Sequence, residues 1–451
     1  MAQQIEALAR FVAETGCADI PEGVRRQAKL VLLDTLGVIL AGSGRPEVAA
    51  LRERLAADAG AGATIYARGW PSHDPRTAAL LNGIAGRSIE LCEGLRLVSG
   101  QAAMQVLPTV LAVGEAAGSS GREMLAALIL GYDVVGRLTS GFTPRPLAHQ
   151  NGQVSLLAAA AAAARLRGLD AAGVSRAMRI ATTLLLTPSY TNAVAGATTL
   201  NVAGGMSGFA GTLAPELALA GFTAQEDAIE EALDRLVGGG FAADHVLDEL
   251  GQTWHITRNY FRLYACCNPI HPALDCLASI LAGLRPQPTE VERIEVATYR
   301  FASVMRNPEP ANYFASKYSL PHAAATMVVR GGAGFAELDD SALDDPVIAA
   351  LRHRVQIEED PAMSAVAPRL RQARVTVRLN GGRQMTQSRD SHRGDFDDPF
   401  DEAELRGKFR ELAATVLTEA GAAEAERAVD RVEEWSDVGE LTALLRRGAR
   451  R

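Results

Sequence analysis

Apolar positions recur at helical spacing along most of the first 250 residues. Ile5, Leu8, Phe11 and Val12 mark a short helix. Pro21 opens a longer one, with Val24, Ala28, Val31, Leu32, Leu36 and Val38 as its buried side and Gly42 as its end. Asp34 interrupts that side, a placement that suits a bond to a neighbouring helix better than catalysis. TAALLNGIAGRSIELCEG reads as a further helix, in which Gly83 and Gly86 permit close crossing and Asn82, Glu90 and Glu93 fall near the end. VLPTVLAVGEAAG and EMLAALILGYDVVGRL continue the helical pattern. The segment His149–Asp170 then runs from a polar opening (His149 to Gln153) into Leu156, Leu157 and an unbroken alanine run, Ala158–Ala164. Alanine is the best helix former and makes a thin helix, so this element belongs in the middle of a helical body. The glycine-rich stretch after it reads as a connection. Gly204 and Gly205 suit a tight turn there, or backbone amides near an anion.

Near residue 257 the pattern changes. VERIEVATYR, RVQIEED and ARVTVRLNGGRQMTQ alternate or are β-branched, and Asn380–Gly381–Gly382 signals a turn. Helical periodicity returns in DPFDEAELRGKFRELAATVL. The expected fold is mainly α: a large all-helical domain made of residues 1–266 and 396–451, with a smaller α+β lid domain, 267–395, inserted late.

Composition narrows the class. The 451 residues can fill two or three domains' worth of core, and 48% apolar with 22% charged residues is ordinary for a soluble protein. Aromatics make up only 5%, so the core must be built from small, closely packed helices. A net charge of −8 argues against a nucleic-acid surface, and the basic end, Arg446–Arg451, reads as a solvated tail. Five cysteines without a paired framework suit a reducing cytoplasm. The N-terminus lacks the basic start and apolar run of a signal peptide. The apolar runs are interrupted by Asp34 and Arg165, so no membrane span is expected.

Several segments together resemble the MmgE/PrpD family, whose members include 2-methylcitrate dehydratase, cis-aconitate decarboxylase and iminodisuccinate epimerase. They are AKLVLLDTLGVILAGSG, ALLNGIAGRSIELCEG, LPTVLAVGEAAGSSGREMLAALILGYDVVGRL, His149–Asp170, NYFRLYACCNPIHPALD, KYSLPHAAA and DPFDEAELRGKF. The resemblance spans nearly the full length. It implies a helical domain and a lid with a cleft between them, a homodimer, no metal or organic cofactor, and proton transfer next to a carboxylate. The departures are informative. An aspartate triplet is replaced by Glu90, Cys92 and Glu93, and a histidine–proline pair by Gln101–Ala102. Leu200 and Arg262 stand where lysines are usual, and His322 where a tyrosine is common.

Proton abstraction beside a carboxylate needs a base near neutrality and cations for the developing charge. His149 is the candidate acid or base, the alternative being a helix cap. His322 is a candidate second proton carrier or a core histidine, and Glu90 an orienter or a helix-end ion pair. Arg262 suits a bidentate carboxylate clamp, or else an ion pair across the domain junction. Gln101, His271 and Leu200 complete the candidate substrate-binding set. His271 with Cys266, Cys267 and Asp275 fits no strong zinc spacing, so no metal is expected. With Leu200 in place of a cation, the expected substrate carries fewer carboxylates than methylcitrate or aconitate, or an apolar group packed on Leu200. The expected activity is a cofactor-independent lyase acting on a small carboxylic acid. An isomerase or epimerase, and a non-catalytic binding homologue, are the alternatives.

Overall fold

The computed structural model describes residues 2–56, 62–96 and 101–450. The fold is mainly α. The helix Glu22–Gly42 follows Pro21 as the pattern predicts. Its Asp34 carboxylate meets Lys408 Nζ at 2.5 Å on the helix Glu402–Ala413, and Lys408 also donates to Leu91 O at 2.8 Å. Asp34 therefore joins two helices that lie far apart in sequence.

The alanine helix, Val154–Leu166, is buried at every residue from Val154 to Ala164. It packs against four helices: Ala103–Ala117, Gly121–Gly141, Ala171–Ala181 and Thr199–Leu219. Methyl side chains let all four come close. A Cβ added at Gly211 would lie 2.5 Å from that of Ala159, so glycine is required at this crossing. Gly121–Gly141 is long and apolar enough to cross a membrane, a property the sequence reading did not assign to it. Here it runs through the protein interior, with 94% of its most apolar window buried.

The glycine-rich stretch differs from expectation. It forms the 21-residue helix Thr199–Leu219, and Gly204 and Gly205 lie inside it, not in a turn. Each glycine costs about 1 kcal/mol of helix propensity, yet close packing on the helix Pro75–Arg87 offsets it. A Cβ on Gly83 would meet the Gly205 Cα at 2.8 Å. The basic C-terminal residues also differ from expectation. Arg446 and Arg447 end the helix Gly439–Arg447, Arg446 bonds Ser72, and Arg450 bonds Val416 O through its backbone N–H. Arg451 lies outside the described residues.

The predicted strands form one four-stranded sheet, in the order Gln384–Arg389, Ala373–Leu379, Val291–Thr298, Val355–Glu359. The first two are a hairpin turned at Gly381 and Gly382, both in the left-handed region, and the last pair is parallel. The helix His271–Leu284 packs against the hairpin, while Leu320–Arg330 packs beside the parallel edge strand. The core formed here also takes in Val38, Ile89, Leu91 and Leu412 from the helical body, so apolar packing continues between the two parts.

Candidate functional site

A cavity of about 530 Å³ opens where the helical body meets the strand-bearing part, and residues from both line it. Its floor begins with the helix Pro75–Arg87, which Asp74 caps and Pro75 starts. That helix ends earlier than the sequence pattern suggests, at Arg87. Glu90 follows in the left-handed region, with φ of 52°, and this turns its carboxylate inward. The carboxylate forms an ion pair with Arg87 and lies 3.4 Å from Arg262 Nη1. Arg87 Nη2 donates to the Tyr318 hydroxyl at 2.7 Å. Arg262 is held further by Glu90 O at 3.1 Å, Cys266 O at 3.3 Å and the Tyr260 hydroxyl at 3.3 Å. All three charged groups are about 1% exposed, so two guanidinium groups share one buried carboxylate.

His149 lies on another wall of the same cavity, half-buried. It lies in the loop that leads through the turn at Asn151 and Gly152 into the alanine helix, five residues before that helix, and so does not cap it. Gln105, buried on the neighbouring helix, holds this turn. Its side-chain oxygen accepts from Gly152 N–H at 3.0 Å and Ser207 hydroxyl at 2.8 Å, and its amide donates to Gln101 O at 2.8 Å. His149 Nδ1 accepts the Asn151 N–H at 3.2 Å. That bond selects the neutral tautomer with its proton on Nε2. Burial, with a smaller contribution from the Arg87 charge, pushes the imidazole pKa down to about 3.

A third wall comes from the strand-bearing part. Arg371 is buried, with Nη1 bonded to the Asn268 carbonyl oxygen and Nη2 to Arg96 O at 3.1 Å. Asn268 in turn donates to His392 Nε2 at 2.8 Å. Three guanidinium groups and one carboxylate thus sit buried on the wall, leaving it cationic. Such a site can bind an organic acid, hold it against His149 and stabilise charge that develops on it.

Residues 6–238 match the MmgE/PrpD N-terminal domain, and residues 264–434 match the MmgE/PrpD C-terminal domain. The chain belongs to the MmgE/PrpD family. Full-length relatives agree. Cis-aconitate decarboxylase-like protein oryM of Aspergillus oryzae is 25% identical, covering 97% of this chain and 96% of the relative. The cis-aconitate decarboxylase of Mus musculus is 24% identical, over 95% and 90%. That of Homo sapiens is 23% identical, over 98% and 94%.

In this MmgE/PrpD chain, four of the residues singled out from the sequence line the cavity: Glu90, Gln101, His149 and Arg262. Three do not. His322 is fully buried near the start of the helix Leu320–Arg330. His271 is buried behind the cavity, its Nε2 3.0 Å from Cys266 O and its ring edge-on to His392. Leu200 is fully buried in the core shared with Ile89 and Ala193, so no ligand group can pack on it in this arrangement. Sequence reasoning missed Arg87, Tyr190, Tyr318, Asn268 and Arg371, which do line the cavity. Tyr318 lies within the quoted KYSLPH motif, four residues before the histidine singled out there. Asn268 lies within CCNPIH, three residues before His271.

Proposed function

We propose that the protein is a cofactor-independent lyase that removes a carboxyl group from a small unsaturated acid, with cis-aconitate as the first candidate because four of its relatives are named cis-aconitate decarboxylase. The observation that carries this reading is the single cavity lined by His149 and three buried guanidinium groups. The acid's carboxylates take the place of water around Arg87, Arg262 and Arg371. Their charge also raises the proton affinity of the nearby imidazole, so that His149 becomes protonated on both nitrogens in the loaded site. The C–C bond to one carboxylate then breaks, and its electron pair moves onto a carbon conjugated with a second carboxylate. Carbon dioxide leaves, the Nε2 proton of His149 passes to that carbon, and water restores the proton to the imidazole.

An epimerase would need a second proton carrier facing His149. His322 lies off the cavity wall, which favours the lyase.

The test is proton NMR in deuterated water with cis-aconitate and related unsaturated di- and tricarboxylates. The expected result is carbon dioxide release with one deuteron retained on the product, and a loss of about 10²–10⁴ in rate for His149→Gln. Deuterium exchange without loss of carbon dioxide would replace the lyase with an isomerase. Full activity in His149→Gln would remove the histidine from the reaction.

A further inference from the structure

We infer that the acid bound here carries an apolar chain, its carboxylate on Arg371 and its chain leaving the cavity along Tyr190, Phe301 and Val304. This rests on the reading of the cavity as an acid-binding site, and within that reading it puts an alkyl-substituted acid in place of cis-aconitate, which has no such chain.

The anchoring end follows from the charges. Arg87 and Arg262 share the one carboxylate of Glu90. Arg371 is buried to 7% exposure, and among the described residues it has no carboxylate within ion-pair distance. Its two donor contacts are to neutral oxygens, on Asn268 and on the Arg96 backbone. Asn268 is itself fixed by His392, whose Nδ1 lies 2.8 Å from Arg393 O, so the guanidinium is held in place before any ligand arrives. A buried cation with no directly paired carboxylate, its charge balanced only at longer range by Asp395, is costly, and an anion at the cavity wall lowers that cost.

The other end is apolar. Phe301 and Val304 line the cavity at its mouth, yet they are 46% and 48% exposed. The Phe301 ring meets that of Tyr190 at 5.2 Å between centroids. Pro144, Pro146 and Pro368 extend the same wall. About half of each of these side chains stays in water beside a cationic pocket, and a ligand chain would cover that half. Arg145 and Arg300 also line the cavity, but Arg300 is paired with Glu359 at 3.1 Å and Arg145 donates to Arg235 O at 2.7 Å, so neither replaces Arg371 as the buried anchor. A cavity of about 530 Å³ is also larger than a compact six-carbon acid needs. Leu200, the sequence's candidate for such packing, is sealed in the core, and the exposed pair takes over that role.

The test measures dissociation constants of the full chain, by calorimetry, for methylsuccinate, butylsuccinate and octylsuccinate. These have the same two carboxylates and differ only in the chain. Each methylene buried should tighten binding by roughly fourfold over the first few carbons. Val304→Asp and Phe301→Ser, both at half-exposed positions, should each remove most of that gain. Arg371→Gln should weaken all three acids by a similar factor, at least tenfold, and leave the chain-length ratio unchanged. Short acids that bind with no gain from added chain would overturn this inference and leave the proposed function standing. No binding at any length would overturn the acid-site reading with it. A flat series, together with dimers in sedimentation that dissociate in Val304→Asp, would assign the apolar mouth to a second copy and likewise overturn the inference.

Discussion

The rings of His149 and Tyr190 lie parallel, 5.7 Å apart between centroids and 8° apart in plane. The backbone reinforces the pairing. His149 N–H donates to Pro188 O, and Tyr190 N–H to Leu147 O, each at 2.8 Å. The two side chains are thus carried on a short antiparallel bridge, Ala148 to Ser189, and the stacked phenol limits how the imidazole can turn. Together with the Asn151 N–H on Nδ1, this leaves Nε2 without a hydrogen-bond partner among the described residues.

Tyr190→Ala should therefore lower kcat by roughly five- to tenfold, the worth of an aromatic pair of about 1 kcal/mol. Tyr190→Phe keeps the ring and should keep most of the rate. Steady-state kinetics on both variants checks the point, and equal losses in the two would assign the effect to the hydroxyl instead.

Glu90 is the only carboxylate lining the cavity among the described residues, and it compensates both Arg87 and Arg262. Glu90→Gln leaves two buried cations facing one another and should destabilise the fold by about 3–5 kcal/mol. A bound dicarboxylate supplies the missing charge, so saturating succinate should raise Tm more in the variant than in the native chain. Thermal unfolding with and without succinate measures both, and a Tm equal to that of the native chain would remove Glu90 from this role.

His322 tests pH and mechanism together. Burial, with help from the Arg352 charge, lowers its pKa to about 3, and among the described residues neither ring nitrogen has a hydrogen-bond partner. An unfolded histidine takes a proton near pH 6.5. Between about pH 6.5 and 3 the unfolded chain therefore binds the extra proton, and stability falls with falling pH by about 1.4 kcal/mol per pH unit for this group. His322→Leu should lessen the drop in Tm between pH 7.5 and 5 and leave kcat within about twofold. A collapse of kcat would restore His322 as a proton carrier.

Lys408 joins Asp34 to Leu91 O, at the base of the loop that carries Glu90. Lys408→Met strands a buried carboxylate and should cost about 3–5 kcal/mol, whereas the double variant Asp34→Leu with Lys408→Met should regain most of it. Denaturant unfolding of the two single variants and the double closes that cycle, and a double variant as unstable as the sum of the singles would mean the pair is not an isolated unit.

The elements themselves were legible in the sequence. Period-3.6 and period-2 patterns report which side of a segment meets a core, and they located the helix after Pro21, the alanine helix and the hairpin at Asn380–Gly382. The helix Thr199–Leu219 escaped because glycine lowers local propensity, while the packing that offsets this comes from a helix more than a hundred residues earlier. His149, Glu90, Arg262 and Gln101 were found as chemistry in suggestive contexts. Arg87, Tyr190, Tyr318 and Arg371 were not, because each looks like an ordinary core or surface residue in its own segment.

The sequence by itself determined where most of the helices and the strands of the sheet form, and that the body is a stack of thin, close-packed helices. The tertiary structure decided which ends meet: the end of one helix, a loop before another, the edge of a bridge, a loop after a short strand and the approach to a strand, at residues 87, 149, 190, 262 and 371, line one cavity. It also decided that His322 and Leu200 fall outside that cavity. Periodicity is a property of one segment, whereas a site is made by the directions in which several segments stop, and those directions are set only when the segments pack.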